Sequence, residues 1–242
     1  MNYKQGVIFP LIIGSLLSVS SLPASANVIV LDFEGVGDLA SVGDYYNGGV
    51  DSQGNSGENF GVSFSSASLA IKDGDTKGIP LNGNFANEPS PDTVLFFLQG
   101  NTATLTFDAG FTTGFSFFYT TQFDTGFVNV YDDIDGTGNL LATLNLSLNW
   151  KDNGCTGDPT GDFCNWDPIG VAFDGIARSV DFGGTLNQVG FDDITFGSAT
   201  PGRPRATVVP SPGTLSLFSV GLIGLAGFAR KQRQPAQGSP LA

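Results

Sequence analysis

Thr102-Ala103-Thr104-Leu105-Thr106-Phe107 alternates threonine with an apolar residue along its whole length. A period of two sets Ala103, Leu105 and Phe107 on one face of a strand and the three threonines on the other. Strand-like runs recur on both sides of it, at 28–33, 60–64, 93–98, 115–119, 127–131, 140–148, 169–173, 178–182 and 188–196. Turn residues separate them, and no window of helical period longer than a turn or two lies away from the two ends. Many short strands with Gly-rich connections predict an all-β chain, an antiparallel β-sandwich of jelly-roll type. The stretches 44–59 and 72–91 are polar and read as long, loosely structured loops, which a sandwich gathers at its rims.

Composition agrees. Of 242 residues 34 are Gly and 21 Phe, and only 14% are charged. Phe suits strands and Gly suits turns, while Lys, Arg, Glu and Met are scarce. The formal net charge of −13 argues against nucleic acid as a partner. With no histidine at all, the usual general base and a common zinc ligand are missing. No Gly-x-Ser-x-Gly elbow or phosphate loop is present, and no spacing recommends Glu34, Glu58 or Glu88 as a glycosidase pair. The chain reads as a binding or structural protein and not an enzyme.

The last strand run contains an irregularity. In Val189-Gly190-Phe191-Asp192-Asp193-Ile194-Thr195-Phe196, Val189 and Phe191 share one parity and Ile194 and Phe196 the other. A regular strand cannot bury all four on one face. An extra residue at Asp192-Asp193, a β-bulge, resolves the conflict and re-aims a carboxylate. The alternative is a regular strand with Phe191 facing outward. A second acidic run, Tyr131-Asp132-Asp133-Ile134-Asp135-Gly136-Thr137-Gly138, does not fit an EF-hand. With Gly136 at the sixth position, Tyr131 and Ala142 fall where the first and twelfth ligands should be. It reads as the turn of a hairpin joining 127–131 to 140–148.

The N-terminus is built for export. Lys4 precedes an apolar core, Val7 to Leu17, and Ala24-Ser25-Ala26 supplies the small residues that a signal peptidase accepts. Residues 1–26 are expected to be a signal peptide, cleaved after Ala26. The only two cysteines, Cys155 and Cys164, suit the oxidising compartment beyond it and are expected to form a disulfide. Closing so short a loop stabilises by on the order of 2–3 kcal/mol. The passenger domain spans 27–198, and 199–213 is a Pro-rich linker.

At the C-terminus, Val209-Pro210-Ser211-Pro212 precedes an apolar stretch, 214–229, and the basic run Arg230-Lys231-Gln232-Arg233. Proline forces any helix to begin after it. The apolar stretch is shorter than the roughly 20 residues that span a bilayer core, and the basic tail, 230–242, is expected to stay on the cytoplasmic side. This tripartite tail resembles the PEP-CTERM sorting signal of bacteria that make extracellular polysaccharide. The resemblance implies that an exosortase-type membrane enzyme recognises Val209, Pro210, Ser211 and Pro212, the sorting helix 214–229, and Arg230, Lys231 and Arg233. Ser211 stands where that family has glutamate. The protein would then be exported and anchored in the membrane by its C-terminal helix, and would end at the cell envelope, cell surface or extracellular matrix.

A second resemblance joins the two ends of the passenger. Asp32-Phe33-Glu34-Gly35 and Phe191-Asp192-Asp193-Ile194-Thr195-Phe196 are similar to the first and last strands of galactose-binding-like jelly rolls, a fold that many carbohydrate-binding modules share. It implies that these strands lie together and hold a structural Ca²⁺ through Glu34 and Asp193, with Asp192 or Asp32 in reserve. Calcium takes six to eight oxygen ligands, so backbone carbonyls or water would complete the shell.

An extracellular polysaccharide is the expected partner. Sugar-binding surfaces use exposed aromatic rings, and Trp150 and Trp166 flank the cysteine loop with Asn149, Asp152, Asn165 and Asp167 beside them. Tyr45 and Tyr46 lie in a polar stretch. The competing reading has both tryptophans covering the edge of the core, as large amphipathic rings often do. A matrix or surface-layer protein with no specific ligand fits the composition equally.

Overall fold

The computed structural model describes residues 28–74, 81–100, 102–150, 154–155 and 161–202. The expected signal peptide, Ala24 and Ala26 within it, Asp152, and the expected sorting residues from Val209 to Arg233 lie outside these. The chain divides into two compact units, Met1–Pro201 and Gly202–Ala242, and every described strand belongs to the first. Among the described residues no helix is long and apolar enough to cross a membrane.

Among the described residues nine antiparallel strands form the fold: β1 (Ile29–Leu31), β2 (Val62–Phe64), β3 (Leu69–Lys72), β4 (Thr93–Phe96), β5 (Thr102–Thr121), β6 (Gly126–Tyr131), β7 (Leu140–Leu146), β8 (Asp167–Gly183) and β9 (Val189–Phe196). Two of them are long, and each serves both layers of the sandwich. The first half of β5 pairs with β2 and with the second half of β8, which passes to β6 and then β7. The second half of β5 pairs with the first half of β8 and with β9, and β9 pairs on its other side with β1 and β4. β3 extends that layer beyond β4.

The sequence reading places 102–107 and 115–119 on separate strands, and likewise 169–173 and 178–182. Each pair is instead one bent strand. Register shifts fall between Thr106 and Phe111 and between Phe111 and Thr113. At the bend Gly110 has φ of 74°. A Cβ there would lie 2.4 Å from Ile176 and 3.0 Å from the Ala177 carbonyl. The glycine that looks like a turn signal lets two adjacent strands bend together without ending. β3 carries no strand signal that the pattern picked out, because it is short and holds Ala70 and Lys72.

Alternation on the opening segment holds. Ala103 and Leu105 are fully buried and Phe107 nearly so. The Thr104 hydroxyl, on the opposite face, donates to Asp181 at 2.6 Å. The layers meet through phenylalanines. Phe182 of β8 stands 4.9 Å, centroid to centroid, from Phe191 of β9, and Phe107 of β5 5.4 Å from Phe196. Most of these contacts are edge-to-face, the arrangement that the ring quadrupole favours.

The loop reading of 44–59 needs correction. Tyr45 and Tyr46 are buried, not displayed. The Tyr46 hydroxyl accepts the Phe33 N–H at 2.8 Å, and the Tyr45 hydroxyl donates to the Glu34 carbonyl at 2.9 Å. Burial pushes both phenols up from their ordinary pKa. Asp51 organises the rest. Its carboxylate accepts N–H bonds from Gly37, Gln53 and Asn55 and a side-chain bond from Asn55. Burial alone would raise its pKa, but these four donors outweigh it and hold the carboxyl below its usual range. A short polar segment thus gains an internal anchor, and polar composition alone does not make it loose. The hairpin between β6 and β7 forms as read, with Asp132 accepting from the Asn139 backbone and side chain.

Candidate functional site

β9 decides where the acidic residues go. Ser116 of β5 faces Thr195 and Phe118 faces Asp192, so one residue of β5 spans two of β9. Asp193 is the extra residue, with φ of 47°. The break sits where the parity conflict requires it, and Val189, Phe191, Ile194 and Phe196 are all buried. Asp192 is turned away from those four and is itself fully buried.

The first and last strands lie together, Leu31 opposite Ile194, which brings Asp32 and Glu34 to the same end as the bulge. The segment before β4 then crosses over the acids. The Ser90 N–H and hydroxyl both reach Asp192, at 2.9 and 2.8 Å, and the Asp193 N–H reaches it at 2.7 Å. The Ser90 hydroxyl also lies 3.1 Å from the Asp32 carbonyl. Glu34 accepts the Thr93 N–H at 2.9 Å. Among the described residues no three acidic or thiol side chains converge as a metal cage. Glu34 and Asp192 are instead held by the 90–93 segment.

Burial pushes the Asp192 carboxyl up to about 8, against the Ser90 N–H bond and with the Asp193 charge adding to the rise. It pushes Glu34 up to about 7, against the Thr93 N–H bond, with Asp32 adding to the rise and Lys72 opposing it.

The cysteine loop closes as expected, by a disulfide between Cys155 and Cys164. The tryptophans on its two sides have different fates. Trp166 is 9% exposed. Its indole N–H donates to the Ala86 carbonyl at 3.2 Å and its ring meets Phe85 edge-on. With Phe85 and Val94 it forms a second, smaller core on the outer face of the β4–β9–β5 layer. It covers sheet and offers no ring face to solvent. Trp150 is half-buried and lies 6.1 Å from Phe123, which is 64% exposed. Phe123 stands in the β5–β6 turn and was not singled out in the sequence, where it is one phenylalanine of 21.

The polar neighbours expected to meet sugar hydroxyls are mostly spent inside. Asn149 and Asn165 are buried, and both amides donate to the Asp167 carboxylate at 3.0 Å. Asn149 also accepts the Thr121 N–H and donates to the Tyr119 carbonyl. These bonds tie Trp150 to the end of β5, and the Trp150 carbonyl accepts from Cys164 and Asn165. Neighbouring loops carry further exposed apolar residues, Leu98, Leu148 and Leu186. Those loops are joined by hydrogen bonds from Asn187 to Phe97, from Gln122 to Gln188 and from Thr185 to Asp124. The Phe123–Trp150 aromatic pair therefore stands at the end of the domain where these loops are joined.

No protein-family model matches the chain, and no curated protein matches it. Among solved structures it is similar to a family 6 carbohydrate-binding module whose binding sub-sites were dissected by crystallography and calorimetry. Identity is 23% over 55% of this chain and 85% of that one, with a TM-score of 0.32. It is similar to TmCBM61 in complex with β-1,4-galactotriose at 14% identity, over 58% of this chain and 89% of that one, TM-score 0.32. A third similarity, to the catalytic domain of Agl-KA, has 14% identity over 61% of this chain but only 28% of that one, TM-score 0.35.

The raised carboxyl pKa values fix the sign of the pH dependence. A buried acid that is harder to ionise in the folded protein stabilises it below the unfolded pKa near 4 and loses that contribution as pH rises through the folded value. In EDTA, the urea midpoint is expected to fall from pH 5 to pH 8 as Glu34 and then Asp192 lose this contribution. Asp192→Asn should make the fall shallower and leave the part that Glu34 contributes, and a midpoint that rises with pH would refute the assignment.

Proposed function

We propose that this chain is an exported, non-catalytic β-sandwich that binds extracellular polysaccharide through the rim carrying Phe123 and Trp150. The aromatic pair, Phe123 exposed and Trp150 half-buried, carries the reading. Two rings held 6.1 Å apart, one braced by the disulfide loop, make a surface on which a sugar ring can stack through its apolar face. Trp166 is not part of that platform. Retention of the full-length protein on a panel of insoluble and gel-embedded polysaccharides is the test. Phe123→Ala and Trp150→Ala should each weaken retention roughly ten-fold, about 1.4 kcal/mol, with the thermal melt little changed. Retention indifferent to both substitutions would sink the proposed site. No retention on any polymer would favour a matrix protein without a specific ligand.

A structural calcium ion at the paired ends belongs to the same proposal: Glu34, Asp192 and Asp193, which do not converge as a cage in the structure, would have to exchange their bonds to Ser90 and Thr93 for the ion. The support is the chemistry of the donor set: hard oxygens only, on carboxylates that the pairing of β1 with β9 brings to one end of the sheet. The Asp32 carbonyl, already turned toward Ser90, is the kind of backbone ligand such a site adds. Calcium should raise the melting temperature and EDTA lower it. Identical melts in both would exclude the ion.

For the tail we propose exosortase-type sorting, supported by the order of Val209-Pro210-Ser211-Pro212, 214–229 and Arg230-Lys231-Gln232-Arg233. In a host with that enzyme, mass spectrometry of the surface protein should find the residues after the Pro-x-Pro missing. An intact C-terminus would indicate a plain anchor.

A further inference from the structure

The outer face of the β4–β9–β5 layer contains a cavity of about 30 Å³. Phe85, Phe96, Phe163 and Trp166 wall it, and the exposed Asn84 and Asn187 stand on its solvent side. Thr120 of β5 also lines it. Thr120 is 1% exposed, yet its hydroxyl has no protein partner. Gly190 makes room for this arrangement, since a Cβ there would lie 3.1 Å from the Trp166 ring and 3.2 Å from the Thr120 methyl.

A buried hydroxyl without a partner is costly, and natural interiors rarely keep one unless something outside the chain meets it. Size and polarity narrow what that is. One water needs roughly 10–15 Å³ by the same measure, so the cavity takes about two or three non-hydrogen atoms. That is far too little for a pyranose ring. Water itself wants two to four polar partners, and apart from Asn84 and Asn187 on the solvent side the one polar side chain of the lining is Thr120. A methyl joined to a carbonyl suits both halves of the lining: the methyl would lie against Trp166 and Phe163, and the carbonyl oxygen would accept from the Thr120 hydroxyl.

We propose that this cavity is a slot for a single acetyl substituent on a polysaccharide, recognised by Trp166 and Thr120. It rests on the polysaccharide reading above but concerns a different surface from the Phe123–Trp150 pair. The slot binds a decoration and is indifferent to the backbone that carries it. Trp166 thereby regains a part in recognition, as a wall and not as an exposed stacking platform.

The test is affinity electrophoresis of the full-length protein in partially O-acetylated xylan and O-acetylated glucomannan, each beside its alkali-deacetylated form. N-acetylchitohexaose and its deacetylated counterpart serve as soluble competitors, separating ester-linked from amide-linked acetyl. Retention should be about five-fold stronger on acetylated polymers, the contribution of one hydrogen bond with its apolar contact. Thr120→Val, which replaces the hydroxyl by a methyl of the same shape, should abolish most of that preference and leave the melting temperature equal or higher. A lower melting temperature for Thr120→Val would mean that the hydroxyl serves the fold, and would overturn the slot. Equal retention on both forms, still lost on Trp150→Ala, would overturn the slot and leave the polysaccharide reading standing. No retention on any form would remove both.

Discussion

Asp193 is one residue more than β9 can accommodate in a regular ladder, and the rest of the domain is arranged around that excess. Without the bulge, a strand of period two would bury either Val189 and Phe191 or Ile194 and Phe196, never all four. With it, β9 sends Phe191 to meet Phe117 and Phe182 and sends Phe196 to meet Phe107, Phe111 and Phe115. The two layers are held together by those rings. The same break turns Asp192 to the other side, where Ser90 binds it and fixes the segment that crosses the outer face of the layer. The covered face, the small core around Trp166 and the cavity beside Thr120 all follow from a local change of register.

The aromatic residues are divided by strand parity and by what covers each face. Phenylalanines on the inner faces fill the core. Val94 and Phe118, on the outer face of the β4–β9–β5 layer, would be exposed if the chain around Phe85 and Phe163 did not lie across them. Trp166 completes that cover. On the β5–β6 turn no described segment lies over Phe123, which stays exposed beside the half-buried Trp150. A ring's role here depends on whether another segment lies over it.

That dependence explains what could be read in the sequence. Alternation at 102–107, the parity conflict in 189–196 and the acidic hairpin at 131–138 are local patterns, and each appears where the residues put it. The disulfide and the adjacency of the first and last strands were legible too, from two cysteines and two short motifs. What escaped was non-local. The continuity of β5 through Gly110 depends on β8 bending alongside it. The burial of Tyr45 and Tyr46 depends on Phe33 and Glu34 offering partners from another strand. Asn149, Asn165 and Asp167 have the side chains that sugar sites use, but they bond to one another, and no spacing reveals that. Phe123 differs from the other phenylalanines only in standing on a turn.

The central claim is that sugar meets this chain at the rim. Because the protein has only two tryptophans, replacing Trp166 by phenylalanine leaves emission from Trp150 alone. Acrylamide quenching of Trp166→Phe, titrated with a polysaccharide shown to retain that variant, reads that side chain directly. The account predicts that bound polymer shields Trp150, lowering the quenching constant in a saturable way at the concentrations that give retention. Quenching that stays constant through full retention would place the sugar elsewhere and contradict it.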